Sequence, residues 1–165
     1  MSFDVSADAY LRFMGRYSEP LAARFADLAG IRPGQRVLDV GCGPGALAAE
    51  LVSRVGAGAV SAVEPSASFV AAARDRLPGV DIRRSPAEQL PFGDGVFDAA
   101  MAQLVVHFMT DPVAGLREMG RVTRPGARVR PPARQARIRH PAPAGRGGSR
   151  PGQRTGPRAA PSTAP

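Results

Sequence analysis

An α/β fold, doubly wound around a mostly parallel sheet, is the architecture this sequence predicts. Short apolar runs of strand type (Arg36 to Val40, Ala59 to Val63, Phe97 to Ala102) alternate with stretches of helical periodicity. The links between them are short and rich in Gly and Pro. The first run, RVLDV, leads straight into Gly41-Cys42-Gly43-Pro44-Gly45, a strand-to-helix turn. Strands that alternate with helices pair in parallel, with helices on both faces of the sheet.

The elements follow in order. Ser18 is placed to cap a helix with Pro20 in its first turn. Leu21, Phe25 and Leu28 then mark one face, and Gly30 ends the helix. Pro33 and Gly34 turn the chain into the RVLDV strand. A helix over about Ala46 to Val55 carries Leu47, Leu51 and Val55 on one stripe. The second strand ends at Glu64, and Ser66 or Ser68 opens a helix to about Leu77, closed by Pro78 and Gly79. Val80 to Arg83 is a short third strand and Phe97 to Ala102 a fourth. Asp111 caps a helix with Pro112 at its first position, carrying Val113, Leu116 and Met119. Pro125 and Gly126 turn into a fifth strand that starts at Ala127 to Val129.

The composition divides the chain in two. It has 165 residues, 22 Arg and no Lys. Residues 1–126 hold 13 Arg and 14 acidic residues, whereas residues 127–165 hold 9 Arg and no Asp or Glu. The second part also has 8 of the 17 Pro and no aromatic residue, with Val129 and Ile138 its only large aliphatics. Such a segment cannot bury enough apolar surface to offset its chain entropy, so residues 130–165 read as a disordered basic tail behind a domain of residues 1–129. Arginines alone could meet phosphates, but a nucleic-acid tail usually interleaves Lys or aromatics. A GC-rich coding strand read out of frame yields Arg, Pro, Ala and Gly, and the composition favours that origin over nucleic-acid binding or an inert tail.

Several classes are set aside. No apolar run reaches the ~18 residues of a membrane helix. No basic stretch followed by an apolar one opens the chain, so the expected compartment is the cytosol. Cys42 is the single cysteine, which leaves no intrachain disulfide, and no His stands at a metal-ligand spacing beside it. His140 lies in the tail and is assigned no role.

In parallel sheets ligands sit beyond the carboxyl ends of the strands, at the switch in strand order. Gly41, Gly43 and Gly45 stand there, where glycine permits close backbone approach. With Ala46 they also satisfy a dinucleotide fingerprint. Asp39, two residues before Gly41, argues against that reading, since a carboxylate repels a pyrophosphate and welcomes an ammonium or sulfonium group. Glu64, ending the next strand, could accept bonds from both ribose hydroxyls. The bland alternatives are an Asp39 bonded to loop amides and a solvated Glu64.

Four blocks now stand together: VLDVGCGPGALAAEL (Val37 to Leu51), AVEPSASFVAAAR (Ala62 to Arg74), AEQLPFGDGVFDAAMAQLVVHF (Ala87 to Phe108) and REMGRVTRPGARV (Arg117 to Val129). Over about residues 10–129 the chain resembles class I S-adenosylmethionine-dependent methyltransferases, in their small-molecule, type 11-like subgroup. The resemblance implies a Rossmann-like sheet and S-adenosyl-L-methionine as cofactor. It implies that Asp39, Gly41 and Gly43 lie against the methionine part, with Gly45 shaping the turn. Glu64 would hold the ribose and Pro65 would pack on the adenine. Where the family often has an Asp toward the adenine, this chain has Pro86, so Ala87, through its backbone, and Glu88 are left for that role. Gln103 would line the methyl-donor side, followed by Leu104. Tyr10, Phe13, Met14, Arg16 and Tyr17 resemble the family's lid helix, although plain helix packing explains them as well. Asp94 and Asp98 are read as structural. His107 is a candidate base near the acceptor, with a single-bonded edge histidine as its bland reading.

The expected function is in-line methyl transfer to a small-molecule acceptor, which needs reactants positioned and water excluded more than it needs a catalytic side chain. The family's sheet has seven strands, so the resemblance also implies that this chain is truncated or frame-shifted after about residue 129 and inactive in that form. Two alternatives stay open: a non-catalytic remnant that binds S-adenosylmethionine, and an NAD(P)-binding oxidoreductase.

Overall fold

The structure is a computed structural model that describes residues 7–130, with side chains from Tyr17 to Gly126. The expectations about the tail beyond Arg130 and its reading frame lie outside the described residues.

Five strands form one sheet in the order β3-β2-β1-β4-β5, and every pair is parallel. They are β1 (Val37–Val40), β2 (Val60–Glu64), β3 (Asp81–Arg84), β4 (Phe97–Met101) and β5 (Thr123–Arg130). The helices are α1 (Ala7–Ala29), α2 (Ala46–Val55), α3 (Ala67–Arg76) and α4 (Pro112–Val122). The chain runs outward from β1 to β3 and then crosses back to β4, which places the switch in strand order between β1 and β4. The Rossmann-like α/β expectation therefore holds.

The central strands are apolar because both of their faces are covered. Val37, on β1, joins a core with Ala22, Phe25 and Ala26 of α1, Leu47 and Leu51 of α2, and Val70 and Ala73 of α3. Leu38 and Val40 face the other way, into a core with Phe97, Met119 and Val122. Side chains alternate across a strand, so Asp39 falls on the same face as Val37, beneath α1 and α2.

Two expectations need correction. The first helix does not start at Ser18: α1 is continuous from Ala7, with Pro20 inside it. Pro20 gives up one backbone hydrogen bond to the preceding turn. Long-range ties hold that turn, Arg76 to Glu19 at 2.7 Å and the Gln103 amide to the Ser18 carbonyl at 2.9 Å. Among the described residues its buried face holds Ala22, Phe25, Ala26 and Ala29, so Phe25 of the expected stripe is buried, while Leu21 and Leu28 are exposed and small alanines take their place in the contact. The fifth strand begins earlier than expected, at Thr123. Thr123 pairs with Phe97 and Arg128 with Ala99, so Pro125 and Gly126 form an irregularity inside the strand rather than a turn before it. Gly126 sits at φ 82°, and Pro125 has no N–H to give the ladder.

α4 starts as expected. The Asp111 carboxylate accepts from Val113 N and Ala114 N at 3.0 Å each, with Pro112 at the first helical position. Asp98 is structural, as read. It accepts from Arg36 N at 2.7 Å, and Arg124 pairs with its other oxygen at 2.7 Å.

Candidate functional site

The switch between β1 and β4 opens a crevice at the strands' carboxyl ends. β1 delivers Asp39 and then the glycine loop, and β4, paired to it through Asp39 and Met101, delivers Gln103 and Leu104. A small cavity lies between them, lined by Asp39, Gly41, Cys42, Gly43, Gln103 and Leu104 and roofed by Ser18 of α1.

Asp39 is the unusual group. Its side chain is 1% exposed, and neither carboxylate oxygen has a hydrogen-bond partner. Burial pushes its carboxyl up to about 7. The Ala48 amide in α2 pulls the other way without completing a hydrogen bond, and the nearby Glu64 charge adds to the rise. A buried carboxylate without a partner is costly unless a cation or donor meets it. The reading of Asp39 as a carboxylate bonded to loop amides is thereby corrected.

Glu64 is buried rather than solvated, and it fastens the loop. Its two oxygens accept from Gly43 N and Ser66 N at 3.0 Å each. Burial raises its pKa, and the two amides oppose that. The loop is also pinned by Gly41 N and Cys42 N, which both donate to the Val63 carbonyl, at 2.8 and 3.0 Å. At Gly41 (φ 72°) a Cβ would fall 2.4 Å from Val105 Cγ2, so glycine is required by space as well as by conformation. Gly45 precedes α2 and shapes the turn, its N–H donating to the Cys42 carbonyl at 2.9 Å.

The structure brings Asp39, Gly41, Gly43 and Gln103 to one cavity, with Glu64 bonded directly to Gly43. It places the other candidates elsewhere. Pro65 is exposed, and its carbonyl accepts from Arg84 at 3.1 Å. Ala87 is buried in the core on the α4 side. Glu88 accepts from Asp111 N at 3.0 Å and so anchors the start of α4. His107 is exposed, its ring 3.9 Å from that of Phe108, and it does not line the cavity. Cys42 lines the cavity, but burial raises its thiol well above the usual range. The sequence reading missed two participants. The Ser18 carbonyl takes part through the backbone, which leaves no side-chain signal, and the Val105 contact with Gly41 has no sequence pattern.

A model of the methyltransferase domain matches residues 38–130, more than half of the chain. The chain belongs to the methyltransferase-domain family. Demethylmenaquinone methyltransferase of Beutenbergia cavernae is 42% identical over 103 residues, 62% of this chain and 42% of that protein. The ubiquinone/menaquinone biosynthesis C-methyltransferase UbiE of Stenotrophomonas maltophilia is 41% identical over 109 residues, 62% of this chain and 43% of its own length. The chain thus spans less than half the length of these curated relatives. The crystal structure of a SAM-dependent methyltransferase from Aquifex aeolicus matches with a TM-score of 0.63 at 23% identity, over 74% of this chain and 69% of that one, which shows the shared fold.

S-adenosyl-L-methionine is the cofactor of the family, as in the SAM-dependent methyltransferase of Thermotoga maritima, 31% identical with a TM-score of 0.50 over 70% of this chain and 55% of that one. It carries an ammonium and a sulfonium, and the cavity presents an unpartnered carboxylate on Asp39 and an unpartnered acceptor on Gln103. The donor chemistry fits. The cavity itself measures about 30 Å³, room for about two waters, whereas a ligand of this class needs several hundred ~Å³.

Proposed function

We propose that residues 1–129 form the cofactor-binding unit of an S-adenosyl-L-methionine-dependent methyltransferase, that residues 130–165 take no part in it, and that the acceptor is a small molecule of the quinol type. The observation that carries the reading is Asp39: a carboxylate buried at the end of the central strand, facing the glycine loop, with neither oxygen satisfied. It opposes a pyrophosphate ligand, and hence the NAD(P) alternative, and favours a cationic one. Four ordered sequence blocks and the match over residues 38–130 support the same reading.

Bound there, the cofactor would supply a methyl group already activated on a sulfonium. The chain's own residues bind and orient. Asp39 and Gln103 offer acceptors to the cationic end, and the Gly41–Gly43 backbone allows close approach. Glu64 holds that backbone in place and keeps lone pairs for hydroxyls. α1 closes over the crevice and keeps water out. A quinol-type acceptor that gains the methyl also loses one proton, which passes to solvent; none of the side chains lining the cavity is assigned to take it. The quinol-type acceptor is supported by the relatives named for demethylmenaquinone and ubiquinone/menaquinone chemistry.

Calorimetric titration of the 165-residue chain with S-adenosyl-L-methionine tests the reading. Saturable binding is expected, weakened at least about tenfold by Asp39→Asn and by Glu64→Ala, a loss of ~1.4 kcal/mol or more. A folded chain that takes up no S-adenosyl-L-methionine overturns it. Methyl transfer to a demethylated naphthoquinol, followed by mass, tests the acceptor class separately.

A further inference from the structure

Gln103 is held at one end and free at the other. Its Nε2 donates to the Ser18 carbonyl of α1 at 2.9 Å. A backbone carbonyl can only accept, so the amide orientation is fixed: NH2 toward α1, Oε1 inward. Oε1 is buried without a partner and lines the cavity that also holds the two unsatisfied Asp39 oxygens. Three acceptors thus share one small space with no donor among them, which a ligand with several N–H groups would satisfy. The residues that follow tie the same segment to the opposite wall. Leu104 is strained at φ 58°, and Val105 packs its side chain against Gly41.

The rest of α1 does not depend on this bond. Arg54 pairs with Asp27 at 2.7 Å and donates to the Ala23 carbonyl at 3.1 Å, while Ala22, Phe25, Ala26 and Ala29 are buried in the core. Arg76 reaches Glu19 at 2.7 Å. Gln103 ties α1 to the β4 side of the cavity.

We propose that Gln103 is a positioning residue that couples α1 to cofactor occupancy, its NH2 group fastening the helix over the cavity while its Oε1 accepts from the ligand's ammonium below. This rests on the reading of the cavity as the S-adenosyl-L-methionine site. A side chain fixed at both ends loses less freedom at each, so ligand binding tightens α1 and a docked α1 tightens the ligand by the same factor. Two variants separate the ends. Gln103→Glu keeps an inward acceptor and loses the donor to Ser18. Gln103→Leu loses both.

The experiment is amide hydrogen exchange in α1, on the full 165-residue chain with and without S-adenosyl-L-methionine, beside calorimetric affinities at about pH 8, a unit above the Asp39 value. In the wild type the ligand should slow exchange in the first half of α1 by about fivefold or more. Both variants should lose that slowing. Affinity should fall by about the coupling factor, about fivefold or more, in Gln103→Glu, and further, about tenfold or more, in Gln103→Leu, which also loses the inward acceptor. A wild type that binds the ligand with no slowing in α1 overturns the coupling and leaves the cofactor site standing, as do variants that keep the slowing. A wild type that binds nothing overturns both. A merely structural pin would speed exchange in both variants yet leave the ligand-induced slowing intact.

Discussion

Asp39 sets the site's response to pH. Its carboxyl ionises in the unfolded chain near its ordinary value of 3.8 and in the folded chain only near 7. Between those values the folded protein holds a proton that the unfolded chain has released, so stability falls as pH rises through this window and levels off above it. Glu64, raised in the same direction by burial, adds to the slope. Thermal melts between about pH 4 and 8 should show this decline in the wild type and a shallower one in Asp39→Asn. Affinity for S-adenosyl-L-methionine should run the opposite way, rising with pH up to about 7, because the cation needs the ionised carboxylate. A flat binding profile would mean that Asp39 does not meet it. Gly41 gives a second expectation at this scale. Gly41→Ala puts a Cβ 2.4 Å from Val105 Cγ2 and 2.9 Å from Val105 Cβ, and a β-branched neighbour has little room to turn aside. It also forces a Cβ into φ 72°, at ~1–2 kcal/mol. Urea denaturation should show a loss larger than that conformational cost alone. Adding Val105→Ala should recover the steric part and leave the rest.

The elements show what local pattern can and cannot reveal. α2 occupies Ala46–Val55 as its apolar stripe indicates, and α4 begins where Asp111 and Pro112 place it. These boundaries are written in neighbouring residues, since caps and stripes act within a turn or two. The start of α1 is not written that way. Ser18 and Pro20 carry the local signature of a helix start, yet the helix passes through them, and the bond that engages Ser18 comes from Gln103, 85 residues later. The Glu88 carboxylate is another partner of this long-range kind: it accepts from Asp111 N, 23 residues on, and seats α4. Asp39, Gly41 and Gly43 were legible as a group because a strand, a glycine turn and a carboxylate lie within five residues. Asp111→Ala should cost about 1 kcal/mol in urea denaturation, the usual worth of a cap, and leave S-adenosyl-L-methionine affinity unchanged, because α4 packs on the face opposite Asp39.

At the scale of the molecule, charge and fold part company. Residues 1–126 carry a net of −1 in their Arg, Asp and Glu, and many of those charges are paired locally, as in the Arg121 pairs with Asp94 and Glu118 and the Arg124 pair with Asp98. Residues 127–165 carry 9 Arg with no acidic residue. The proposed division assigns affinity for polyanions to the second part and cofactor affinity to the first. Ending the chain after Arg130 keeps every strand of the sheet, including the register of Ala99, Ala100 and Met101 with Arg128, Val129 and Arg130. The shortened chain should bind S-adenosyl-L-methionine within about twofold of the full one. It should also elute from a heparin column at distinctly lower salt, since each arginine removed takes away a phosphate-type contact and the salt dependence that goes with it. Equal elution would show that the basic part is not what meets polyanions. A collapse of cofactor binding would show that residues 131–165 complete the site, and the division at residue 129 would then be wrong. If cofactor binding holds while heparin affinity drops, one chain carries two independent surfaces, and cofactor binding resides in the nearly neutral one.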